Sequence, residues 1–389
     1  MTDASHSAPP AAPHTPVHAD VVIVGGGFAG ASAALALSRR GLTVRMIDLA
    51  EPPARAFRAE KFSADQLPLL KAIGVLDALT PHTAVATRAI NIRGRRVIDR
   101  PPVEDHGLMY ADMVKLLRRQ PETADAFVHG RACEIRLHGD GGSVLLSDGR
   151  RFDGRLVVLA TGHARGLRES LGVVRRVVHP TPTINIAFTL RAPPGGFGFP
   201  SMAAYGEATG DGVDYTSIFP VGDVMRVNTF VFTTMADPRI TAFKQDPMAA
   251  LLALQPGLNQ WLRGAAVIDK AEFFVVELSI CDHVQQPGLV LIGDAYRTSC
   301  PSVGNGLSCL LVDVACLAEL APRWMATPGM GTDKIAEFYA DPVKRRSDVG
   351  THQVAIARRR SVTSGSLSNR FKRALHFGRR QLADRLGRA

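Results

Sequence analysis

The sequence predicts an α/β protein in which a parallel sheet with flanking helices is interrupted by a mostly antiparallel β-sheet domain and followed by a helical C-terminal segment. Three observations lead to this prediction. A strand–glycine–helix–strand pattern occupies residues 20–48, a second strand–glycine–helix pattern occupies residues 289–317, and strand-like segments with glycine turns fill much of the chain between them. Strands that alternate with helices are typical of parallel sheets, whereas closely spaced strands favour antiparallel ones.

Length and composition limit the class of protein. The 389 residues, 46% of them hydrophobic, suffice for two or three domains with cores of their own. We find no run of about 18 apolar residues, so no membrane-spanning helix is predicted. Residues 1–18 are rich in Pro, Ala, Ser and His without the apolar core of a secretory signal, and we expect a disordered leader. Five cysteines without CxxC spacing favour a reducing cytoplasm and predict neither a disulfide framework nor a metal site.

The net charge of +10 is concentrated at one end of the chain. Residues 358–389 contain ten Lys and Arg and one acid, Asp384, which gives 10 − 1 = +9 and leaves the remainder close to neutral. The charge of the whole protein therefore does not predict binding to nucleic acid.

The first glycine pattern predicts a dinucleotide site of the Rossmann type. Residues 21–24 form a β-branched run that indicates a buried strand, and Gly25, Gly27 and Gly30 follow with GxGxxG spacing. A helix that begins at this turn directs its N-terminal N–H groups and its dipole at a pyrophosphate. Asp48 closes the next strand, where a carboxylate can accept hydrogen bonds from a ribose.

A basic segment follows that acid. Arg58 could meet the pyrophosphate of the same cofactor, and the alternative is a solvated loop.

The second glycine pattern repeats the first. A buried strand ends at Gly293 and Asp294, a loop with Pro301 and Gly304 follows, and a helix begins near Gly306. The carboxylate at the strand tip can accept from a hydroxyl of a ribityl or ribose chain, and the loop lets a planar group lie against backbone N–H groups. Two such elements, far apart in sequence, suit one elongated cofactor that crosses a single sheet.

The intervening segments predict the domain boundaries. Residues 19–80, 105–178 and 285–340 are assigned to a discontinuous nucleotide-binding domain, and residues 81–104 and 179–284 to an inserted substrate domain. Residues 341–389 form the helical, basic C-terminal segment. Within the insertion, Phe219, Phe230 and Phe232 are interpreted as core residues, with contact to a substrate as the alternative.

Together these motifs resemble the FAD-dependent monooxygenases of the aromatic-hydroxylase type, the p-hydroxybenzoate hydroxylase-like family. The N-terminal motif matches over its whole length, and the family pattern GDAxHxxxPxxGxGxN matches in part from Gly293 to Gly306. The resemblance implies that Asp294 contacts the ribityl chain of FAD and that Pro301 and residues 304–307 lie beside the flavin ring. The residues thus predicted to bind FAD are Gly25, Gly27, Phe28, Ala29, Gly30, Asp48, Arg58, Gly293, Asp294, Pro301, Gly304, Asn305, Gly306 and Leu307.

The chain departs from the family pattern at several positions. Thr161 replaces an Asp that the family associates with FAD and NAD(P)H, and Tyr110 replaces an Arg that often begins a helix. Arg297 stands where the second motif usually has His. These departures leave the docking of the reductant open. Residues 160–172 correspond to the family's middle motif, and His163 and Arg165 within it are candidate active-site groups, but no catalytic residue is assigned.

The resemblance implies a reaction in which NADH or NADPH reduces FAD and a flavin C4a-hydroperoxide formed with O2 hydroxylates an aromatic or other apolar small molecule. One alternative is a reductase or saturase of an isoprenoid lipid, similar to geranylgeranyl reductases, which uses FAD without O2. Another is a non-enzymatic protein that binds a prenylated partner without using FAD.

The basic C-terminal segment has its own alternatives. Leu367, Phe371, Leu375 and Leu382 recur at near-helical spacing among arginines. Such a helix can lie on an anionic membrane surface, but it can equally dock on the protein or remain disordered. The predicted location is the cytoplasm, with peripheral contact at the inner face of a membrane as one of these alternatives.

Overall fold

A computed structural model describes residues 15–53 and 60–387 of the chain. Residues 1–14 of the predicted leader lie outside this part. The leader is shorter than expected at its other end, because the first strand begins at Val17 and not after residue 18. Val17 and His18 pair in parallel with Phe152 and Asp153, so backbone hydrogen bonding extends the strand beyond its apolar part.

The described strands, numbered in chain order, belong to three sheets. They are β1 (Val17–Val24), β2 (Val44–Asp48), β3 (Lys61–Ser63), β4 (Ala84–Arg88), β5 (Ile90–Arg93), β6 (Arg96–Asp99), β7 (Pro102–Gly107), β8 (Phe127–His129), β9 (Ala132–His138), β10 (Gly141–Leu146), β11 (Arg151–Leu159), β12 (Val174–Arg191), β13 (Met202–Tyr205), β14 (Val213–Val221), β15 (Val224–Phe232), β16 (Ala266–Val267), β17 (Glu272–Asp282), β18 (Leu289–Leu291) and β19 (Arg297–Thr298).

The described α-helices are numbered in the same way. They are α1 (Phe28–Ser38), α2 (Leu67–Ala72), α3 (Leu76–Leu79), α4 (Tyr110–Arg118), α5 (Pro121–Ala126), α6 (Gly166–Ser170), α7 (Pro238–Gln245), α8 (Pro247–Leu254), α9 (Asn305–Met325), α10 (Thr332–Ala340), α11 (Pro342–Thr363) and α12 (Leu367–Leu386).

The first sheet carries both glycine patterns. Within the described residues it has seven strands in the order β8-β2-β1-β11-β10-β9, with β18 also paired to β11. The central pairs β2-β1, β1-β11 and β11-β18 are parallel. Residues 21–24 are almost fully buried, because helices cover this sheet. The carboxyl ends of β1 and β18 meet at one edge, as the predicted α/β fold requires.

The second sheet is the inserted domain. Its nine described strands follow the order β19-β17-β12-β15-β14-β13-β5-β6, with β16 paired to β12, and most pairs are antiparallel. Alternate residues of each strand face opposite sides. One side packs against α7 and α8 through a core that includes Ile184, Ile218, Val227, Phe243 and Leu251. The other side faces the first sheet and its helices.

The division between the sheets differs in detail from the predicted domain boundaries. The strand β12 begins at Val174, inside the segment assigned to nucleotide binding, and β19 returns from beyond residue 285 to pair with β17. The strand β4 lies in the predicted insertion but joins β3 and β7 in a separate three-stranded sheet. Irregular pairing between Val177 and Thr183 explains the missed start of β12, since it interrupts the alternation of side chains.

Helix α9 passes the length and composition test for a membrane span, contrary to the expectation from the sequence. Asp313 and Glu319 interrupt its apolar run, which is why no uninterrupted stretch was found. Of its most apolar 18-residue window, 56% is buried inside the protein. Leu311, Val314 and Leu317 lie in the core beside the first sheet, so burial explains the composition of this helix.

Candidate active site

A cavity lies between the two glycine turns and the free face of the second sheet. Its volume is about 460 Å³, within the range of ligand sites in proteins. Residues of the first turn and of the second turn line the same space. A Cβ atom at Gly293 would lie 3.4 Å from the Cβ of Ala29, so the two turns approach closely. A single elongated cofactor that contacts both turns requires such a shared trough.

The first turn depends on glycine at two positions. Gly25 has a φ of +104°, and a Cβ there would lie 2.5 Å from the carbonyl oxygen of Ala160. A Cβ at Gly30 would lie 1.8 Å from the carbonyl oxygen of Gly25. Gly30 is buried and does not line the cavity, so it supports the turn from behind. The strand and the helix can pack at this distance only because both side chains are absent.

Helix α1 presents its N-terminus to the cavity. Its N-cap is Gly27, and its first turn contains no acidic residue. The N–H of Phe28 donates to the hydroxyl of Tyr110 at 3.1 Å. Tyr110, which replaces the usual arginine, therefore places a neutral hydroxyl beside the position where a helix favours an anion.

Asp48 is fixed by the chain itself. One of its carboxylate oxygens accepts from the N–H of Gly26 at 2.5 Å and lies 3.1 Å from the Arg118 Nη2, and the other accepts from the N–H of Ala50 at 2.8 Å. Each carboxylate oxygen has two lone pairs, so capacity remains for a ribose hydroxyl.

Arg118 also lines the cavity, although it was not predicted as a site residue. Its Nε donates to the Gly26 carbonyl at 2.8 Å, and its guanidinium lies 4.7 Å from the centre of the Phe127 ring. Burial lowers the pKa of this guanidinium, an effect that the Asp48 charge opposes, and an arginine remains protonated under such shifts. A fixed cation thus stands at the first turn.

The second turn is built in the same manner. Gly293 and Gly304 adopt left-handed conformations, with φ of +58° and +75°. Gly304 is the N-cap of α9, and the first turn of that helix also lacks an acidic residue. The side-chain amide of Gln66 donates to the Gly304 carbonyl at 3.3 Å and to the Ser308 hydroxyl at 3.0 Å, which ties the start of α9 to the turn before α2.

A buried charge cluster holds the second turn from behind. The N–H of Gly293 donates to an Asp313 carboxylate oxygen at 2.8 Å, and Lys344 pairs with the other oxygen at 2.5 Å. Lys344 is fully buried and also lies 3.4 Å from Asp348, which pairs with Arg297 at 2.8 Å. Arg297, at the usual histidine position, is thus a member of this cluster and does not line the cavity.

His163 and Asp294 meet inside the cavity. The Nε2 of His163 lies 3.3 Å from a carboxylate oxygen of Asp294, and the His163 ring packs edge-on against Phe274 at 5.3 Å. The middle motif and the second turn are therefore adjacent in space. Arg165, which belongs to the same motif, does not line the cavity.

The second sheet provides the opposite side of the cavity, which we call the sheet wall. Its members alternate along their strands with residues of the α7–α8 core. They are Asn185, Tyr215, Ser217, Phe219, Asn228, Phe230, Phe274 and Val276. Phe219 and Phe230 thus contact the cavity, whereas Phe232, as predicted, is a core residue.

Two amides form a polar patch within the sheet wall. The Asn185 Nδ2 lies 3.4 Å from the Asn228 Oδ1, and both residues are buried. The Oδ1 of Asn185 accepts no hydrogen bond from any residue that the structure describes. A buried acceptor without a partner is unfavourable unless a ligand supplies the donor.

Glu60 and Arg226 form a buried ion pair at the edge of the cavity. The Arg226 Nε donates to Glu60 at 2.8 Å, and the same guanidinium also lies close to Asp269 and Glu272. Burial raises the pKa of the Glu60 carboxyl to about 7, although the Arg226 charge opposes the shift. Glu60 lines the cavity, so its charge acts on any ligand there.

Most residues predicted to bind FAD lie in this one cavity. Those that line it are Gly25, Gly27, Phe28, Ala29, Asp48, Gly293, Asp294, Pro301, Gly304, Gly306 and Leu307. Gly30 and Asn305 do not line it, and Arg58 lies outside the described residues. Their contact with FAD stays a prediction.

Arg118, Glu60 and the two asparagines were not predicted as site residues from the sequence. A signal existed for the asparagines, because Asn is disfavoured inside apolar strands, and Asn185 and Asn228 each interrupt one. No such signal in the sequence pointed to Arg118, since an arginine near the end of a helix usually faces solvent.

Comparison with known families gives one match over most of the chain. The family described as FAD binding domain matches residues 18–321. The ubiquinone hydroxylase UbiL of Rhodospirillum rubrum is 28% identical over 339 residues, which cover 81% of this chain and 74% of the relative. The FAD-dependent monooxygenase adrH of Penicillium rubens is 26% identical over 208 residues, which cover 54% of this chain and 44% of the relative.

Solved structures share the fold. The p-nitrophenol 4-monooxygenase PnpA of Pseudomonas putida superimposes with a TM-score of 0.76 at 16% identity, over 93% of this chain and 94% of PnpA. At this identity the likeness concerns the arrangement of the two sheets and their helices. It agrees with the predicted α/β architecture with an inserted β-sheet domain.

Proposed function

The chain belongs to the FAD-binding-domain family and is an FAD-dependent monooxygenase, and on that premise we propose that it hydroxylates a small aromatic molecule with O2 and NADH or NADPH. The observation that carries the proposal is the single cavity enclosed by both glycine turns on one side and by the aromatic sheet wall on the other. Such a cavity can bring a flat substrate against a flavin held at the turns.

The residues present fit FAD. The glycines Gly25, Gly27 and Gly304 line the cavity with backbone, and two helix N-termini without acids face it. Arg118 and the N-terminus of α1 would hold the pyrophosphate, Asp48 the ribose and Asp294 the ribityl chain. When bound, FAD supplies hydride uptake from the nicotinamide and activation of O2 for transfer of one oxygen atom.

The sheet wall defines the substrate class that we propose. Phe219, Phe230 and Phe274 offer apolar faces and edges to an aromatic ring. The Oδ1 of Asn185 offers a buried acceptor that a phenolic or quinol hydroxyl could satisfy. A ring with one hydroxyl donor, otherwise apolar, therefore matches the wall better than a charged substrate. The name of the relative UbiL, a ubiquinone hydroxylase, makes quinol rings the first compounds to try.

The chain's own groups act on this substrate by position and charge. The Asn185–Asn228 pair orients the ring, and the buried walls exclude water from it. Glu60, with a pKa raised to about 7 by burial, can hold or release a proton near neutral pH at the edge of the cavity. The sequence holds one GxGxxG pattern, in the first turn, which fits transient docking of the reductant.

The test is an assay of the purified protein with its bound flavin. We expect yellow protein that oxidises NADPH or NADH faster when phenols or quinols are added, and a product that carries one oxygen atom from labelled O2. A product that gains two hydrogens without oxygen would instead identify the reductase or saturase of isoprenoid lipids. A colourless protein that takes up no FAD would contradict both and favour the non-enzymatic alternative.

A further inference from the structure

Helix α12 is docked on the protein along one face. Arg380 makes a two-pronged ion pair with Asp99 at 2.7 and 3.0 Å and donates to the Tyr205 hydroxyl at 3.1 Å. The Gln381 amide donates to the Val97 carbonyl at 3.2 Å, and Asp384 accepts from the N–H of Arg100 at 3.1 Å. The contacts hold the helix against β6, so the C-terminal segment is an ordered part of the fold.

The opposite face of α12 exposes a stripe of large apolar side chains. Its members recur at spacings that return to one side of a helix of 3.6 residues per turn. They are Leu367, Phe371, Leu375, Leu382 and Leu386, with exposed fractions of 80, 70, 45, 59 and 67%. Large apolar side chains of this number rarely share one exposed face in a soluble protein without a partner.

Cations border this apolar stripe. Lys372 and Arg379 follow one edge and Arg370 the other, and Arg385 lies within the stripe at its C-terminal end, all of them exposed. The one acidic residue after position 366 is Asp384, which belongs to the docked face. The outward face therefore combines apolar side chains with positive charge and carries no carboxylate.

We propose that this face of α12 binds the surface of a bilayer that contains anionic phospholipids. The apolar stripe would enter the boundary between headgroups and acyl chains, while the flanking cations would contact the phosphates. A second copy of this chain is a poorer occupant, because two such faces would bring eight cations together. The proposal concerns α12 alone and is independent of the reaction at the cavity.

The contacts of the docked face fold α12 into a helix before it meets a membrane. An isolated basic peptide must become helical when it meets a membrane, and this ordering weakens its binding. Here the ion pair of Arg380 with Asp99 and the packing of Phe377 against Tyr205 at 5.2 Å already hold α12 as a helix. The protein thus presents a preformed stripe and loses less conformational entropy on binding.

The experiment is co-sedimentation of the full-length, flavin-loaded protein with vesicles of phosphatidylcholine, with and without phosphatidylglycerol. We expect the protein in the pellet with the anionic vesicles only, and release by high salt. The variant F371Q/L375Q should bind those vesicles at least about tenfold more weakly, and R379Q/R385Q about tenfold more weakly. Both pairs of side chains face solvent, so flavin absorbance and melting temperature should stay unchanged.

A matched control removes apolar surface from the neighbouring helix. Val349 and Val354 of α11 are 56 and 49% exposed, and V349Q/V354Q should bind the anionic vesicles as the unmodified protein does. Equal recovery with and without anionic lipid, or equal loss in the control variant, would overturn the proposal. So would a dimer of the unmodified protein that F371Q/L375Q converts to monomer, because the occupant would then be a second copy.

Discussion

The cavity has two walls of different construction. The glycine wall, residues 25–30 and 293–307, contributes mainly backbone: turns in left-handed conformations and the N-termini of α1 and α9. The sheet wall contributes side chains from the strands β12, β14, β15 and β17. A backbone wall suits a cofactor that every member of a family shares, whereas a side-chain wall can change its chemistry without altering the fold.

The two walls also tolerate change differently. At Gly25 and Gly30 of the glycine wall, an added methyl group collides with a backbone carbonyl oxygen. At the sheet wall, a substitution alters the cavity, while the core on the other face of the sheet keeps the strands together. Substitutions at the glycine wall should therefore have the largest effect, and substitutions at the sheet wall the smallest.

The substitution Gly30→Val should abolish both folding and flavin binding. A Cβ at this position would lie 1.8 Å from the Gly25 carbonyl oxygen, and strand and helix cannot separate without loss of the turn. Soluble yield and flavin absorbance measure the outcome. Gly350→Ala is the control: Gly350 lies inside α11 with open space around it, and alanine there should raise stability by about 0.5–1 kcal/mol. A Gly30→Val protein that folds and retains flavin would contradict the requirement for glycine at this backbone contact.

The substitution Lys344→Met should destabilise the protein by about 3–5 kcal/mol, since it leaves the buried Asp313 carboxylate without its counter-ion. Lys344 is fully buried between Asp313 and Asp348, and Asp313 holds the N–H of Gly293. The free energy of unfolding in urea measures the change, and exposed Lys71→Met serves as the control. We also expect weaker flavin retention, because the second turn would lose its anchor. A loss below about 1 kcal/mol, the value of a surface pair, would contradict this role.

The two walls also explain what the sequence could predict. The position of the first turn could be predicted from the sequence, because the close approach of backbones at Gly25 and Gly30 admits only glycine and so leaves a fixed spacing. The binding of FAD by these residues stays a prediction. The sheet wall could not be predicted in this way, because alternate positions of a half-buried strand accept many side chains, and Phe219 and Phe232 look alike in sequence but face the cavity and the core respectively. The docking of α12 rests on Arg380 and Asp99, which are 281 residues apart and carry no local pattern.

The substitution Glu60→Gln should alter how stability depends on pH. Burial raises the pKa of Glu60 from 4.5 to about 7, so between these values the native state binds more protons than the unfolded state. Stability then falls as pH rises through this window, by about 3 kcal/mol in total, and the variant should lose this decline. Melting temperatures between pH 4.5 and 7 measure it.

Glu122 is the control for Glu60, because its pKa is shifted in the opposite direction. Glu122 has a lowered pKa, because its carboxylate accepts hydrogen bonds from the Glu122 backbone N–H and from Arg39. The contribution of Glu122 to folding stability is therefore lost as pH falls below the range tested. Glu122→Gln should therefore leave the decline between pH 4.5 and 7 intact. An unchanged pH profile in Glu60→Gln would show that Arg226 keeps the carboxylate ionised throughout.

The smallest expected effect concerns the sheet wall itself. Asn185→Leu removes the acceptor proposed for a substrate hydroxyl but fills a similar volume, so the flavin should be retained. For a hydroxylated ring we expect kcat/KM to fall by about tenfold to a hundredfold, the consequence of a lost buried hydrogen bond of about 1–3 kcal/mol. Ile184→Val is the control, because Ile184 faces the α7–α8 core and should affect stability without affecting kcat/KM. A ring without the hydroxyl separates the two causes of a loss. If Asn185 acts through that hydroxyl, turnover of the deoxygenated ring stays unchanged in the variant, whereas an equal loss for both rings would mean that Asn185 only shapes the cavity.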